Sequence, residues 1–506
     1  MKNMRIRYAQ LKKILILHPF LFAIFFILTL YTGNMGQVPF SQVLVPLGIT
    51  LGGTSLLFLL SWLILRDALK AGIIASMAAI LFFSYGHARN MLQYRLPWSV
   101  GGLPWLWAGL FLGSSYVTLR TRWNLRKLTT ILNVAAVAMV VMSAIPVIPH
   151  AIRGSGSAPV DGGTSVTIGR PEGVTPPDIY YIILDAYPSP TTLDEIYDYD
   201  DSTFTDFLTA KGFYVASDSH SNYGTTNLSL PSSLNMEYMD SLLGTVDPES
   251  RDVTVPHSMV QNNRVTSLLK SIGYMYVHVG SWWGPTRHNS RADLNVAGNS
   301  LNEFDLMLID TSALGSLGFG SDFYRGYVLR AFEELGKMPG IQGPKFVFAH
   351  IICPHWPFVF DADGSPIRAD DFWSRSLSEN REMWLAQITF VNNKVEALVD
   401  QLLSESSISP IIIIQGDHGM PLTYGGDGGQ DVTPQSAQDH TGILNAYHLP
   451  QGGVEALYES ITPVNTFRVI FNSYFGAGLP LLEDRSYFTP SLQYPYKLVD
   501  VTDKLR

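Results

Sequence analysis

Five apolar stretches occupy the first 150 residues, at approximately 14–32, 43–65, 69–86, 98–119 and 128–148. Each is close to the ~20 residues that carry a helix across a bilayer. Residues 1–150 are therefore expected to form a transmembrane domain of five helices. The first stretch is too long, and too clearly followed by others, to be a cleaved signal peptide. The third is the weakest of the five. As a buried or re-entrant helix it would not cross, and everything after it would change sides.

Charge placement orients the spans. Lys2, Arg5, Arg7, Lys12 and Lys13 precede the first; Arg66 and Lys70 fill the second loop; Arg120, Arg122, Arg126 and Lys127 fill the fourth. The first loop has no Lys or Arg and the third has only Arg89 and Arg95. The positive-inside rule sets the N-terminus in the cytoplasm, so five crossings export everything after residue 150.

The remainder has a different chemistry. Residues 1–150 hold 13 Lys/Arg and a single acid, Asp67, a balance of about +12. With the whole chain at −9, residues 151–506 carry about −21. An acidic domain lacks the basic footprint that nucleic acid requires. Cys353 is the one cysteine, so no intrachain disulfide and no zinc-ribbon pattern can form. An exported domain of this size buries enough apolar surface to be stable without one.

Residues 151–177, rich in Gly, Ser, Thr and Pro, read as a linker. From Asp178 short apolar strands alternate with helical segments. Strands are expected at Ile179–Leu184, Phe213–Ala216, Tyr274–Val279, Phe346–Ile352, Ile411–Gln415 and Ile443–Leu449; helices at Val265–Ile272, Ser321–Leu335 and Arg381–Ser404. The alternation predicts an α/β domain over 178–506, a mostly parallel sheet sandwiched by helices. Tyr424–Gln430 reads as a glycine-rich loop.

Several residues carry possible chemistry. Asp185 ends the first strand, and Asp417-His418-Gly419 ends a run of four isoleucines, which brings carboxylates and an imidazole to a sheet edge. Each could be an ordinary turn. Together they are an oxygen and nitrogen donor set suited to one divalent ion, Mn, Zn or Mg. Thr225 and Thr226 precede Ser229-Leu-Pro-Ser, and a metal-bound threonine hydroxyl can become a nucleophile. Chemistry alone does not choose between them. His350 lies near the end of the fourth strand and His355 just past it, and His440 precedes the last. These histidines read as a rim around the site or as ordinary buried imidazoles. His278, Trp282 and Trp283, after the third strand, read as a substrate cleft or as packing residues.

These segments together resemble the alkaline phosphatase/sulfatase superfamily. They are most similar to its membrane-anchored phosphotransferases, the lipoteichoic acid synthases and lipid A phosphoethanolamine transferases. The resemblance covers most of residues 178–450 and rests on four short motifs. It implies five transmembrane helices before an exported catalytic domain. It also selects Thr226 as the nucleophile, because Ser229 and Pro231 stand at the family's +3 and +5 positions. Asp185, Thr226, Asp417 and His418 fall on the family's metal ligands, and His355 on the histidine that binds the substrate phosphate. The block from Ser460 to Arg468 looks like the tail of sulfatase-like membrane proteins. Two departures matter. The paired cysteines of the phosphoethanolamine transferases are absent. So is the Cys/Ser-x-Pro-x-Arg signature of formylglycine sulfatases, since Leu230 stands where its arginine would.

The expected protein is a multi-pass cell-membrane enzyme. It transfers or hydrolyses a phospho-substituent of a lipid-linked or cell-envelope substrate through a phosphothreonine, and no obligate protein partner is predicted. Alternatives are a sulfatase-like or phosphodiesterase hydrolysis on the same fold, and an inactive envelope glycan-binding protein. A purely structural or transporter-like membrane protein would explain the spans but not the Asp-His-Gly set.

Overall fold

The computed structural model describes residues 14–95, 101–147, 166–169, 173, 175–297, 301–368, 375–422, 432–491 and 493–505. Tyr424–Gln430 and most of the 151–177 linker lie outside them. The chain divides into two compact units: residues 1–156 with 303–320, and residues 157–302 with 321–506.

In the first unit five helices stand at the five apolar stretches: α1 His18–Gly33, α2 Leu44–Leu65, α3 Ala68–Arg95, α4 Leu103–Arg120 and α5 Leu125–Ala144. By length and composition three of them, α2, α3 and α5, are long and apolar enough to cross a membrane; α1 is a shorter apolar helix. The third stretch, the weakest by sequence, gives the longest of the five helices, at 28 residues. Of the three spanning candidates it is the most enclosed: 44% of its apolar window is buried, against 17% and 11% for those of α2 and α5.

A segment from the second half of the sequence belongs to this unit. The helix α6, Glu303–Thr311, packs Phe304 into a cluster with Ile27, Tyr31, Val38, Val43 and Phe83. Gly86 of α3 permits the approach, because a Cβ there would lie 2.4 Å from the Thr311 carbonyl. The boundary between units is therefore not a single point in the sequence.

The second unit is built on a seven-stranded sheet of order β2-β7-β6-β1-β5-β3-β4. The strands are β1 Ile179–Leu184, β2 Tyr214–Val215, β3 Met275–Val279, β4 Leu294–Val296, β5 Lys345–Ile351, β6 Ile411–Gly416 and β7 Asn445–His448. β6, β1, β5, β3 and β4 are parallel, and β7 runs antiparallel between β6 and β2. β1 and β6 are buried at every residue, as their unbroken apolar runs require of central parallel strands covered on both faces.

Register determines the rest. Leu184 of β1 pairs with Ile351 of β5 and with Gly416 of β6. The next residues along β1 and β6, Asp185 and Asp417, therefore leave the sheet side by side at its C-terminal edge, where open α/β sheets hold their ligands. Two glycines let the chain turn tightly here. A Cβ on Gly416 would lie 2.2 Å from the Tyr187 carbonyl, and one on Gly419 would lie 2.1 Å from that of Asp439.

Candidate metal centre

Thr226 opens the helix α7, Thr226–Asn235, with Thr225 as its N-cap in extended conformation. Weak helix formers and an internal proline, Pro231, make this a poor helix by propensity. Tertiary burial overrides that: every residue from Leu228 to Asn235 is buried. Ser229 fixes the helix to the sheet edge, its hydroxyl donating to the Asp417 carbonyl at 2.6 Å. The serine three residues after Thr226 thus sets the distance between the helix mouth and the Asp-His-Gly turn.

Hydrogen bonds decide which atoms are free. Asp417 Oδ1 accepts from the Ala186 and His418 amides at 2.9 and 3.0 Å, and its Oδ2 is buried without a partner. Asp185 Oδ1 is likewise buried and unpartnered, while its Oδ2 lies 3.1 Å from His350 Nε2. His418 Nδ1 lies 2.6 Å from the Gly419 carbonyl. A carbonyl only accepts, so Nδ1 holds the proton and the neutral ring turns the Nε2 lone pair inward. That nitrogen is 3.0 Å from Thr226 Oγ1, 3.6 Å from Asp417 Oδ2 and 3.7 Å from Asp185 Oδ1.

Four donor atoms from four residues thus converge: Asp185 Oδ1, Thr226 Oγ1, Asp417 Oδ2 and His418 Nε2. Ligands ~2.0–2.2 Å from one tetrahedral ion lie about 3.3–3.6 Å apart, close to the three separations, 3.0, 3.6 and 3.7 Å, that His418 Nε2 makes with the other donors. Two unpartnered buried carboxylate oxygens are costly in the absence of a cation. The residues present fit one divalent ion.

His350 also lies within reach of Asp185 and Asp417, but its nitrogens are committed. Nε2–H donates to Asp185 Oδ2, and Nδ1 accepts from the Thr286 hydroxyl at 2.9 Å. Thr286 in turn lies 2.7 Å from the Ser281 hydroxyl. An imidazole donating to a ligating carboxylate orients that ligand rather than binding the ion. Nothing in the sequence marked Thr286 or Ser281 for this chain of hydrogen bonds.

Electrostatics agree with the geometry. Burial pushes the Asp185 carboxyl up, but the His355, His350 and His418 imidazoles outweigh it and hold Asp185 ionised well below the usual carboxylate range. Burial lowers His418, yet Asp417 and Asp185 bring its pKa above the ordinary imidazole value.

The remaining candidates lie around this centre. The His355 amide donates to the Asp185 carbonyl at 3.1 Å, and its ring centroid is 6.2 Å from that of His418. His440 is on the helix α9, Pro434–Thr441, after α8, Leu377–Glu405. Its carbonyl accepts from Gly419 at 2.9 Å, and burial pulls its imidazole down to about 4. Trp283 packs edge-on to His350 and His257, at 5.6 and 5.2 Å, whereas Trp282 packs on Tyr324. His278 is buried within the sheet, bonded to Tyr276 and to the Thr286 carbonyl. A further pair escaped the sequence reading: His257 Nε2–H donates to Asn227 Oδ1 at 2.7 Å, which fixes the side chain following Thr226.

No family model matches the sequence, and no curated protein matches it. Among solved structures, the chain is similar to the integral membrane protein lipooligosaccharide phosphoethanolamine transferase A from Neisseria meningitidis. Identity is 12% and the TM-score 0.43, with 86% of this chain and 88% of that one covered. It is also similar to the C-terminal periplasmic domain of EcEptC from Escherichia coli in complex with Zn, at 11% identity and TM-score 0.45, over 66% of this chain and 95% of that one. A third similar structure is BT33494S-sulf, from glycosaminoglycan metabolism in Bacteroides thetaiotaomicron, at 12% identity and TM-score 0.41, over 61% and 74%. The neighbours are thus phosphoethanolamine transferases and sulfatases; at these scores, the chemistry has to come from the site's own atoms.

Proposed function

We propose that the chain is a membrane-anchored, metal-dependent phosphotransferase or hydrolase with Thr226 as its nucleophile. The observation that carries this reading is the convergence of the Thr226 hydroxyl with one imidazole nitrogen and two unpartnered carboxylate oxygens. Among the described residues of this edge, nothing hydrogen-bonds the second oxygen of either buried acid, Asp185 Oδ1 or Asp417 Oδ2. Asp185, Thr226, Asp417 and His418 would hold the ion, which when bound lowers the pKa of the threonine hydroxyl and offsets charge on phosphorus.

The residues then divide the work. Thr226 Oγ passes its proton to the half-buried rim imidazole of His355 and forms a bond to phosphorus as the P–O bond to the leaving group breaks. His355 returns that proton to the leaving oxygen. Water or an acceptor hydroxyl next attacks the phosphothreonine, giving its proton to His355, and the P–Oγ bond breaks as His355 protonates Oγ to regenerate Thr226. His440, neutral near pH 7, donates Nδ1–H to the Ser436 carbonyl at 2.8 Å, so its Nε2 lone pair can accept from the incoming water or acceptor hydroxyl without adding charge. Trp283, beside His350, bounds the site on the side of β3.

The substrate is proposed to be lipid-linked or part of the cell envelope, because the site is tied to a set of apolar helices. Residues 321–506 and the site are proposed to lie outside the cytoplasmic membrane. Phe304 supports this side: it packs against the end of α1, the first loop and the second half of α3, which the Lys/Arg pattern assigns outside. The test of the mechanism is intact-protein mass spectrometry after brief exposure to a generic phosphodiester. A phosphoryl-sized or larger adduct on Thr226, absent in Thr226→Ala, is expected; turnover with no adduct on Thr226 would refute the route.

A further inference from the structure

His440 is held in part by a segment that no motif of the site contains. Its Nδ1–H donates to the Ser436 carbonyl at 2.8 Å. The half-buried ring of Phe488 packs against it, with centroids 4.5 Å apart and planes at 70°. One hydrogen bond fixes a point on an imidazole and leaves the ring able to pivot about that bond. An edge-to-face neighbour removes the pivot. Phe488 belongs to the strand β8, Tyr487–Phe488, which pairs antiparallel with β9, Val499–Asp500. Successive side chains of a strand point to opposite faces. Tyr487 accordingly stacks on Tyr223, with centroids 5.4 Å apart and planes at 16°, while Phe488 meets His440.

The same strand is bonded to the lead-in of the nucleophile. Tyr487 N–H donates to the Asn222 carbonyl at 3.0 Å, and Gly224 N–H to the Tyr487 carbonyl at 3.2 Å. That lead-in is also tied to the end of α9: Ser221 N–H donates to the Thr441 carbonyl at 2.6 Å, and His220 bridges to Gly442. Past β9, Lys504 Nζ donates to the Val432 carbonyl, just ahead of α9. Residues 220–224 are thus bonded both to β8 and to the end of the helix that carries His440, and they deliver the chain to Thr226.

From these contacts we propose that β8 is part of the catalytic apparatus, with Phe488 as the positioning residue that aims His440 Nε2 at the water or acceptor hydroxyl attacking the phosphothreonine. The inference rests on the phosphotransferase reading and adds to it a residue far along the chain from Thr226. A phenyl ring neither donates nor accepts a proton, so Phe488 acts only through His440. The attacking oxygen must approach phosphorus roughly in line with the bond that breaks, and a misplacement of about 1 Å costs on the order of a hundredfold in rate. The two half-reactions therefore differ in what they need. Formation of the adduct depends on Thr226 and the ion; its breakdown depends on an oriented attacking hydroxyl. Replacing the side chain at 488 leaves the backbone bonds of β8 to Asn222 and Gly224 in place, so the nucleophile keeps its support. Phe488 matters to the second half-reaction and not to the first.

The test uses the full-length protein in detergent micelles, loaded with one divalent ion, and a chromogenic phosphodiester as the probe. Rapid-quench release of the chromophore times formation of the Thr226 adduct. Intact-protein mass spectrometry after substrate removal times its breakdown. Wild type, Phe488→Ala, Phe488→Leu and Phe488→Tyr are compared, with metal content and melting temperature alongside. Phe488→Ala should form the adduct at the wild-type rate and lose it about ten- to a hundredfold more slowly. Phe488→Leu keeps apolar bulk in β8 and should slow breakdown in the same direction; it carries the test if alanine costs metal or folding. Phe488→Tyr keeps the ring and should restore breakdown. Wild-type breakdown in both Phe488→Ala and Phe488→Leu would overturn the inference and leave phosphotransfer through Thr226 standing. An equal slowing of formation and breakdown would also overturn it, as the mark of a structural role, and so would a tyrosine variant as slow as leucine. A wild type that forms no Thr226 adduct removes the phosphothreonine reading, and the inference with it.

Discussion

In the helical unit the exposed surface is hydrocarbon and indole: Ile64 is 79% exposed, Trp105 80%, Leu112 67% and Met142 70%. In the sheet unit the relation is reversed. The isoleucines of β1 and β6 are sealed, and the groups out of place are acids, Asp185 and Asp417, buried with unpartnered oxygens. Each arrangement costs free energy in water alone. Apolar side chains that bury nothing lose no free energy once the surrounding medium is itself apolar. Buried carboxylates are tolerated once a cation coordinates them. The two regions therefore each point to what completes them: a bilayer for the first and a divalent ion for the second.

The comparison breaks most sharply at the nucleophile. Thr226→Ala should lower turnover by at least the ~10²–10³-fold typical of losing one principal catalytic contact while leaving the melting temperature near that of wild type. Thr226→Ser should keep part of the activity, because a primary hydroxyl can still attack. Steady-state kinetics on a chromogenic phosphodiester reads both. Equal activity in wild type and Thr226→Ala would show that the unpartnered acids serve something other than this threonine.

The helical side of the comparison is tested by charge. Leu56, 57% exposed in α2, would tolerate lysine with little change in a water-soluble protein. In a spanning helix the same change costs about 2.5–3.5 kcal/mol of insertion at the helix centre. The fraction of Leu56→Lys protein recovered in membranes measures it, and full recovery would contradict the spanning assignment.

A smaller effect is expected behind the ligands. His350→Ala or Thr286→Val should weaken metal binding by about 10–100-fold without abolishing it, because these residues orient Asp185 rather than coordinate. Competition against a calibrated chelator gives the value. Complete metal loss in Thr286→Val would move His350 and its partner into the ligand set itself.

The mildest test is pH. The His418 imidazole is raised above its ordinary value because Asp417 and Asp185 outweigh the lowering by burial. In metal-free protein its proton contributes stability in full below the unfolded-state value of about 6.5. That contribution is lost as pH rises through the higher folded value. Metal binding requires the deprotonated ring, so the ion should stabilise the protein more as pH increases across the same window. Melting temperatures with and without chelator from pH 5.5 to 8.5 should diverge upward; a constant gap would mean His418 is not a ligand.

Much of this was legible in the residues, for identifiable reasons. β1 could be bounded at Ile179–Leu184 because a fully buried parallel strand is an uninterrupted apolar run that ends on an acid. β4, Leu294–Val296, is three partly buried residues among polar neighbours, too short for a periodic signal. The helix at Thr226 was invisible to propensity, since threonine, asparagine, serine and proline disfavour it; burial against the sheet decides it. The pairing of Asp185 with Asp417 depends on register, which a sequence does not carry, although both acids could be seen to end strands. The division of His350 from His418 lies wholly in which hydrogen bonds their second nitrogens make. The attachment of Phe304 to the helical unit could not be read from an acidic segment far along the chain.

The central claim is that one divalent ion completes the edge where β1, β6 and α7 meet. Anomalous diffraction from crystals of the metal-loaded protein, collected on both sides of the metal's absorption edge, tests it directly. The account predicts one anomalous peak bonded to Asp185 Oδ1, Thr226 Oγ1, Asp417 Oδ2 and His418 Nε2, with His350 one bond removed, on Asp185. A peak coordinated by His350 and out of contact with Thr226, or an edge with no ion in protein that turns substrate over, would contradict it.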